Sequence, residues 1–296
     1  GVGVVEAVGE AARARFAKED LAFSSQVGGL KSVAKVDAKS AVKLPGRFPE
    51  VTGAFLAEAC AAYRLLASTT AGDVVIHSGG ESAVGQCLAQ LAALRGVSLV
   101  SLVSRSTPSP DDAVELLKNI GATVAAPADY VFDASFRKVM ADLGPPSLVL
   151  LDASNVDLAA VASVLDASTR GFSAAKAALE NAHPADRRDA KLVTTLLETI
   201  AHPAAKRVLH DARPGDATLP SFDAFDVRDW LAAADDAQLA ETVANVADAA
   251  AADHLRVWVE AYTTDTVPRA LDLQSAGLYK HAYRQPVWLA KPLDTY

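Results

Sequence analysis

Residues 72–85, GDVVIHSGGESAVG, limit what this chain can fold into more than any other stretch. The short apolar run Val74-Val75-Ile76 reads as a buried strand, and Ser78-Gly79-Gly80 follows it as a small-residue turn. Ala83-Val84-Gly85-Gln86 then opens a helical pattern, AVGQCLAQLAALRG, with Gly96 as its C-terminal cap. A strand, a glycine turn and a helix N-terminus together make an anion site. Small residues let the backbone approach a pyrophosphate, while helix-end N–H groups and the helix dipole favour its charge. The GGxxxxG spacing is looser than GxGxxG, so its context has to carry the assignment.

That context is a βαβ unit. Residues 97–103 form a second apolar run, followed by Ser104-Arg105-Ser106-Thr107. The end of the second strand of a dinucleotide-binding fold meets the adenosine ribose. A carboxylate there selects NAD, and an Arg with hydroxyl neighbours suits the 2′-phosphate of NADP. Arg105 between two serines, with no acid until Asp111, points to NADPH; the plainer alternative is a solvated Arg in a surface loop. The candidate cofactor-binding residues are therefore Ser78, Gly79, Gly80, Ser82, Ala83, Val84, Gly85, Ser104 and Arg105.

Strand and helix signals keep alternating. Asp111 is expected to cap a helix over 112–119, with strands at 122–125 and 147–151 and helices at 130–143 and 158–165. This order implies an α/β fold, a Rossmann-type doubly wound parallel sheet. Before it, β patterns at 1–8 and 33–44 and a helix at 53–67 read as a separate small domain. Beyond 165 the pattern weakens, with helices expected at 173–181, 189–200, 235–252 and 268–282, a loop at 213–220, and strands at 254–262 and 287–290.

Several of these segments resemble one family. GVVEAVG at 3–9 is similar to a GVAxVxAVG strand pair, and EACAAYRLL at 58–66 to an NPCTAYRLL helix. Residues 73–86 are similar to a D-x-VIQNxxNSxVGQ cofactor loop, LVSR at 102–105 to VVRDR, and 117–123 to LKxLGAT. On these residues the chain resembles the medium-chain dehydrogenase/reductase superfamily, and within it the mitochondrial trans-2-enoyl-CoA (enoyl-thioester) reductases. The resemblance covers about residues 1–160 and returns faintly in the last forty. It implies the remnant of a GroES-like β catalytic domain with its bridging helix at 1–69, a nucleotide domain at 70–253 and a return to the catalytic domain at 254–296. It also implies a mitochondrial address.

The departures matter as much. The chain starts inside the GVAxVxAVG motif, so no residue is expected to take the role of the family's proton-donating Tyr, and no catalytic residue is assigned. Gly29-Leu30-Lys31 stands where the family has G-T-W, with Lys31 in place of its aromatic, Ala61 replaces the Thr of NPCTAY, Glu58-Ala59 replaces its Asn-Pro, and no YGGMS-type segment follows 165. The expectation is an enoyl-reductase-like protein, catalytically impaired, retaining NADPH and serving as an accessory subunit among the other proteins of a mitochondrial assembly such as a respiratory complex. The alternative is an active NADPH-dependent trans-2-enoyl-CoA reductase of mitochondrial fatty-acid synthesis.

Composition bounds the rest. Over 296 residues, 36 acidic against 28 basic side chains give a net charge of −8, which offers no electrostatic case for nucleic acid or anionic membrane. No apolar run reaches the roughly 18 residues of a membrane span. Cys60 and Cys87 sit on helical patterns and read as core thiols without a disulfide framework. The six histidines show no metal-ligand spacing, and no metal site is expected. His77 stands where the family has Gln, either touching a phosphate or filling the turn. The acidic residues from Asp216 to Asp236 fit no calcium loop and read as a solvated face.

Overall fold

A computed structural model describes residues 1–24, 33–45, 53–104, 107–155, 158–159, 161–162, 177–178, 190–193, 195, 205–212, 219, 222–263, 266, 268 and 285–289. The chain divides into two compact units. One comprises Gly1–Arg64, Ser82–Cys87 and Val227–Tyr296; the other comprises Leu65–Glu81 and Leu88–Asp226.

The second unit is built on a six-stranded parallel sheet. Its strands are β4 (Val74–Ser78), β5 (Ser98–Val103), β6 (Val124–Pro127), β7 (Leu148–Asp152), β8 (Lys206–His210) and β9 (Asp223–Phe225), in the spatial order β6-β5-β4-β7-β8-β9. The sheet grows from β4 in one direction and from β7 in the other. With right-handed crossovers this places connecting helices on opposite faces, as the doubly wound expectation requires. Every residue of β4 and β7 is buried, which explains why both read as continuous apolar runs. One face carries Val74, Ile76, Val100, Leu102, Val149, Leu151 and Leu209, packed with Phe136 and Met140.

Local details correct several expected boundaries. The helix expected at 112–119 runs Pro110–Asn119: Pro110 takes the first helical position, where a missing N–H costs nothing, and Asp111 lies in the first turn rather than capping it. The single helix expected at 130–143 is two pieces, a 3-10 turn Ala128–Phe132 and a helix Ala134–Leu143. Asp133 separates them in extended conformation, its side chain accepting the Ser135 N–H. The strands expected at 122–125 and 147–151 begin one or two residues later, at β6 and β7. Strands β8 and β9 were not anticipated at all. Residues 158–159, 161–162, 177–178, 190–193 and 195 are helical, consistent with the helices expected there; most of 163–204, the loop at 213–218 and the helix at 269–282 lie outside the described residues.

In the first unit, β1 (Val2–Val4), β2 (Leu21–Ser24) and β3 (Ala41–Lys43) form a three-stranded antiparallel sheet in the order β1-β2-β3. These strands are far shorter than the β patterns at 1–8 and 33–44 suggested; Val33 is exposed and 34–37 form no strand. The bridging helix spans Leu56–Leu65. Helix Asp236–Ala251, capped by Asp235, matches its expected place closely but belongs to this unit rather than to a block ending at 253. It packs on β3, and Asp236 lies 3.6 Å from Arg15. β10 (Val259–Thr263) and β11 (Gln285–Leu289) pair in parallel. The apolar alternation at 254–258 buries Leu255 and Val257 without forming a strand. No helix among the described residues is long and apolar enough to cross a membrane.

Candidate nucleotide site and a buried histidine cluster

At the carboxyl end of β4 the chain must turn sharply into helix Ala83–Arg95. Gly79 does so with φ +80, a left-handed conformation that side chains rarely adopt. Gly80 permits close packing instead: a Cβ there would lie 2.3 Å from Ser101 Oγ and 2.9 Å from Leu117 Cδ1. Ser82 is the helix cap. Its Oγ accepts the Gly85 N–H at 3.1 Å, and its carbonyl accepts the first full-turn bond, from Gln86 N, at 2.9 Å. The N–H groups of Ala83 and Val84, in the first turn, have no intrahelical acceptor. A helix N-terminus with such donors is the kind of element that favours an anion.

The turn is not uniformly hospitable to phosphate. Gly80 N already donates to Leu102 O at 2.9 Å. The Glu81 carboxylate is buried and accepts Ser104 N at 3.2 and 3.3 Å and Thr107 Oγ1 at 3.0 Å. Burial pushes its pKa up, opposed by these hydrogen bonds. Ser104, expected to face a 2′-phosphate, thus spends its backbone N–H on an acidic side chain. Arg105, its expected partner, lies outside the described residues. Sequence reasoning missed Glu81; the signal was an acid where the resembling family's loop has Asn.

Gln86 is fully buried, and its amide oxygen accepts the Trp258 N–H at 3.0 Å, a packing role. Cys60 and Cys87 are also fully buried. Burial lifts Cys60 to about 12 and Cys87 well above its ordinary value, so both are inert core thiols.

A second constellation was not visible in the sequence. His77, Asp152 and His210 lie at the carboxyl ends of β4, β7 and β8, on the face opposite the Ile76–Val149–Leu209 core. The register sets Asp152 opposite His210. His77 Nε2 lies 2.9 Å from His210 Nε2, and the rings stack at 5.1 Å. His210 Nδ1 lies 2.9 Å from Asp211 Oδ2. Asp152 Oδ1 accepts Ser154 N and Oγ, and Ser78 Oγ accepts the Asp152 N–H. Burial, then the neighbouring His210, holds His77 well below its ordinary pKa. Burial raises that of Asp152, opposed by His210 and Ser154. His77 therefore fills the strand end and contacts another histidine.

No protein-family profile matches the chain. It is similar to the mitochondrial enoyl-[acyl-carrier-protein] reductase of Dictyostelium discoideum, 31% identical over 157 residues, which are 51% of this chain and 44% of that protein. The Arabidopsis thaliana protein of the same name is 36% identical over 77 residues, 26% of this chain and 20% of that protein. The match thus spans less than half the length of these curated relatives. Among solved structures, the mitochondrial 2-enoyl thioester reductase heterodimer from Candida tropicalis superimposes with TM-score 0.64 at 16% identity, covering 94% of this chain and 77% of that one. Escherichia coli quinone oxidoreductase complexed with NADPH gives 0.62 at 14%, covering 97% and 80%. The fold is that of these solved oxidoreductases, and over about half of the chain the sequence is similar to mitochondrial enoyl-[acyl-carrier-protein] reductases.

Proposed function

We propose that this chain is an enoyl-thioester-reductase-like protein that binds NADPH at the turn between β4 and the helix Ala83–Arg95, and that it serves in the mitochondrion as a catalytically impaired accessory subunit of a larger assembly, such as a respiratory complex. The observation that carries the nucleotide reading is the Ser82-capped helix start, which leaves the Ala83 and Val84 N–H groups for a pyrophosphate. Gly79 and Gly80 would bring the backbone against it, and Arg105 would meet the 2′-phosphate. The buried Glu81 carboxylate, held by Ser104 N and Thr107 Oγ1, opposes that charge. NADPH, when bound, supplies a hydride; the chain's own residues here bind and orient it.

The impaired reading draws on Ala61, whose buried methyl stands where the resembling family has a Thr hydroxyl, and on Glu58-Ala59 in place of Asn-Pro. The active reductase reading is favoured by what the curated relatives are called. NADPH oxidation with a medium-chain 2-enoyl-CoA separates them: turnover near 1 per second or faster, within the ordinary enzyme range, overturns the accessory reading. Arg105→Ala tests the cofactor. Losing a charge-assisted phosphate contact costs about 1.5–3 kcal/mol, so NADPH weakens about tenfold or more while NADH is little changed. Equal loss for both refutes Arg105 as the selector.

A further inference from the structure

We propose that His77, His210 and Asp152 form a binding site for a divalent transition metal of the zinc class, at the carboxyl ends of β4, β7 and β8. Each residue offers a ligand atom, and these atoms lie within 4.8 Å of one another. The donor set is two imidazoles and one carboxylate, the set that zinc takes while keeping a fourth position open; calcium and magnesium prefer all-oxygen shells. Tetrahedral bonds of about 2.0–2.1 Å place neighbouring ligand atoms about 3.3 Å apart. The two Nε2 atoms, at 2.9 Å, need to part by only a few tenths of an ångström.

The surroundings are those of a held metal ligand. Metal-bound histidines characteristically donate their other ring N–H to a carboxylate, which fixes the tautomer and aims the lone pair. His210 has that arrangement: Asp211 lies against Nδ1, held there in a left-handed backbone conformation at φ +58. With the proton on Nδ1, the His210 Nε2 lone pair faces His77. His77 Nδ1 has no partner, so moving its proton from Nε2 to Nδ1 sacrifices one hydrogen bond only. Asp152 is oriented by Ser154 through its carboxylate and by Ser78 through its N–H. Asp152 and Asp211 together balance a dication. The location adds weight, because β4 and β7 flank the point where the sheet reverses its winding, the place where ligands of open α/β sheets bind.

The test is a Co²⁺ titration of the chelator-stripped chain. The expected result is one Co²⁺ per chain with the strong visible bands of a four-coordinate site, displaced by Zn²⁺, and a melting temperature that rises with Zn²⁺ concentration. His77→Gln and His210→Gln each weaken Co²⁺ by at least about a hundredfold, and Asp211→Asn by about tenfold. X-ray absorption of the Zn²⁺-loaded unmutated chain should read two imidazoles and an oxygen donor, which decides the matter even where a variant fails to fold. Sub-stoichiometric or absent Co²⁺ binding, a shell without two imidazoles, or a folded His77→Gln chain that binds as tightly would overturn the proposal.

Discussion

The parallel sheet β4–β9 and the small antiparallel sheet β1–β3 show two ways of holding strands in place. The central strands of the first bury every side chain on both faces, and Phe136, Leu148, Leu150 and Leu151 are essentially inaccessible. In the second sheet the strands are three or four residues long, and Val4 is 62% exposed. The parallel sheet is therefore stabilised by apolar burial, and each side chain there carries a measurable share of it. The antiparallel sheet relies more on backbone pairing and on charged contacts such as Lys43–Asp20 at 2.8 Å, which at a surface contribute little.

Substitutions can break or sharpen this contrast. The largest expected effect is Phe136→Ala, which leaves a cavity against Tyr130 and the Val74–Val149 core and costs about 3–5 kcal/mol. It should appear as a large fall in the urea midpoint; a loss of unfolding free energy under about 1 kcal/mol would deny the parallel sheet its burial-driven character. Gly80→Ala comes next. The new Cβ must displace Ser101 Oγ and the buried Leu117, at about 1–3 kcal/mol, and calorimetry should register it. Ser82→Ala removes the cap on Gly85 N and costs about 1 kcal/mol in the same measurement.

Glu81 produces a slope instead of an offset. Its folded pKa is raised, so the folded state binds more protons than the unfolded one between the ordinary carboxylate value and the raised one. Stability conferred by this group is present at low pH and declines as pH rises through that window. Urea midpoints followed from about pH 4 to pH 8 should fall more steeply, or rise less, with pH in the unmutated chain than in Glu81→Gln. The smallest effect belongs to Val4→Ser, within about 0.5 kcal/mol, as for exposed positions generally. A larger loss would mean that β1 depends on burial after all.

The same contrast explains what the sequence revealed. β4, β5 and the helix between them were legible because burial on both faces writes an unbroken apolar run, and because the glycine turn and Gly96 punctuate it. β8 was not: Lys-Arg-Val-Leu-His has charged or polar residues at three of five positions, since Lys206 is exposed and His210 is held by polar partners. β9 has only three residues. The break at Asp133 could have been read, as Asp followed by Ala-Ser is an ordinary helix start. The strand end, glycine turn and helix start over residues 78–85 were legible because they are contiguous. The cluster of His77, Asp152 and His210 was not, because parallel register, which no local spacing records, brings the three together. Its only trace is that each ends an apolar run with a polar residue.

The place where β4 meets β7 also bears on how the chain acquires its fold. The Ser78 hydroxyl and the Asp152 amide that join there are 74 residues apart in sequence, whereas β4 reaches β5, and β5 reaches β6, across single helical crossovers. Closing a long loop is entropically slow, and the pairing that requires it comes late. The β4–β6 half can pair before β7 docks, with an open flank at β4 until it does. An unpaired strand flank of that kind is where mispairing with a neighbouring copy can begin.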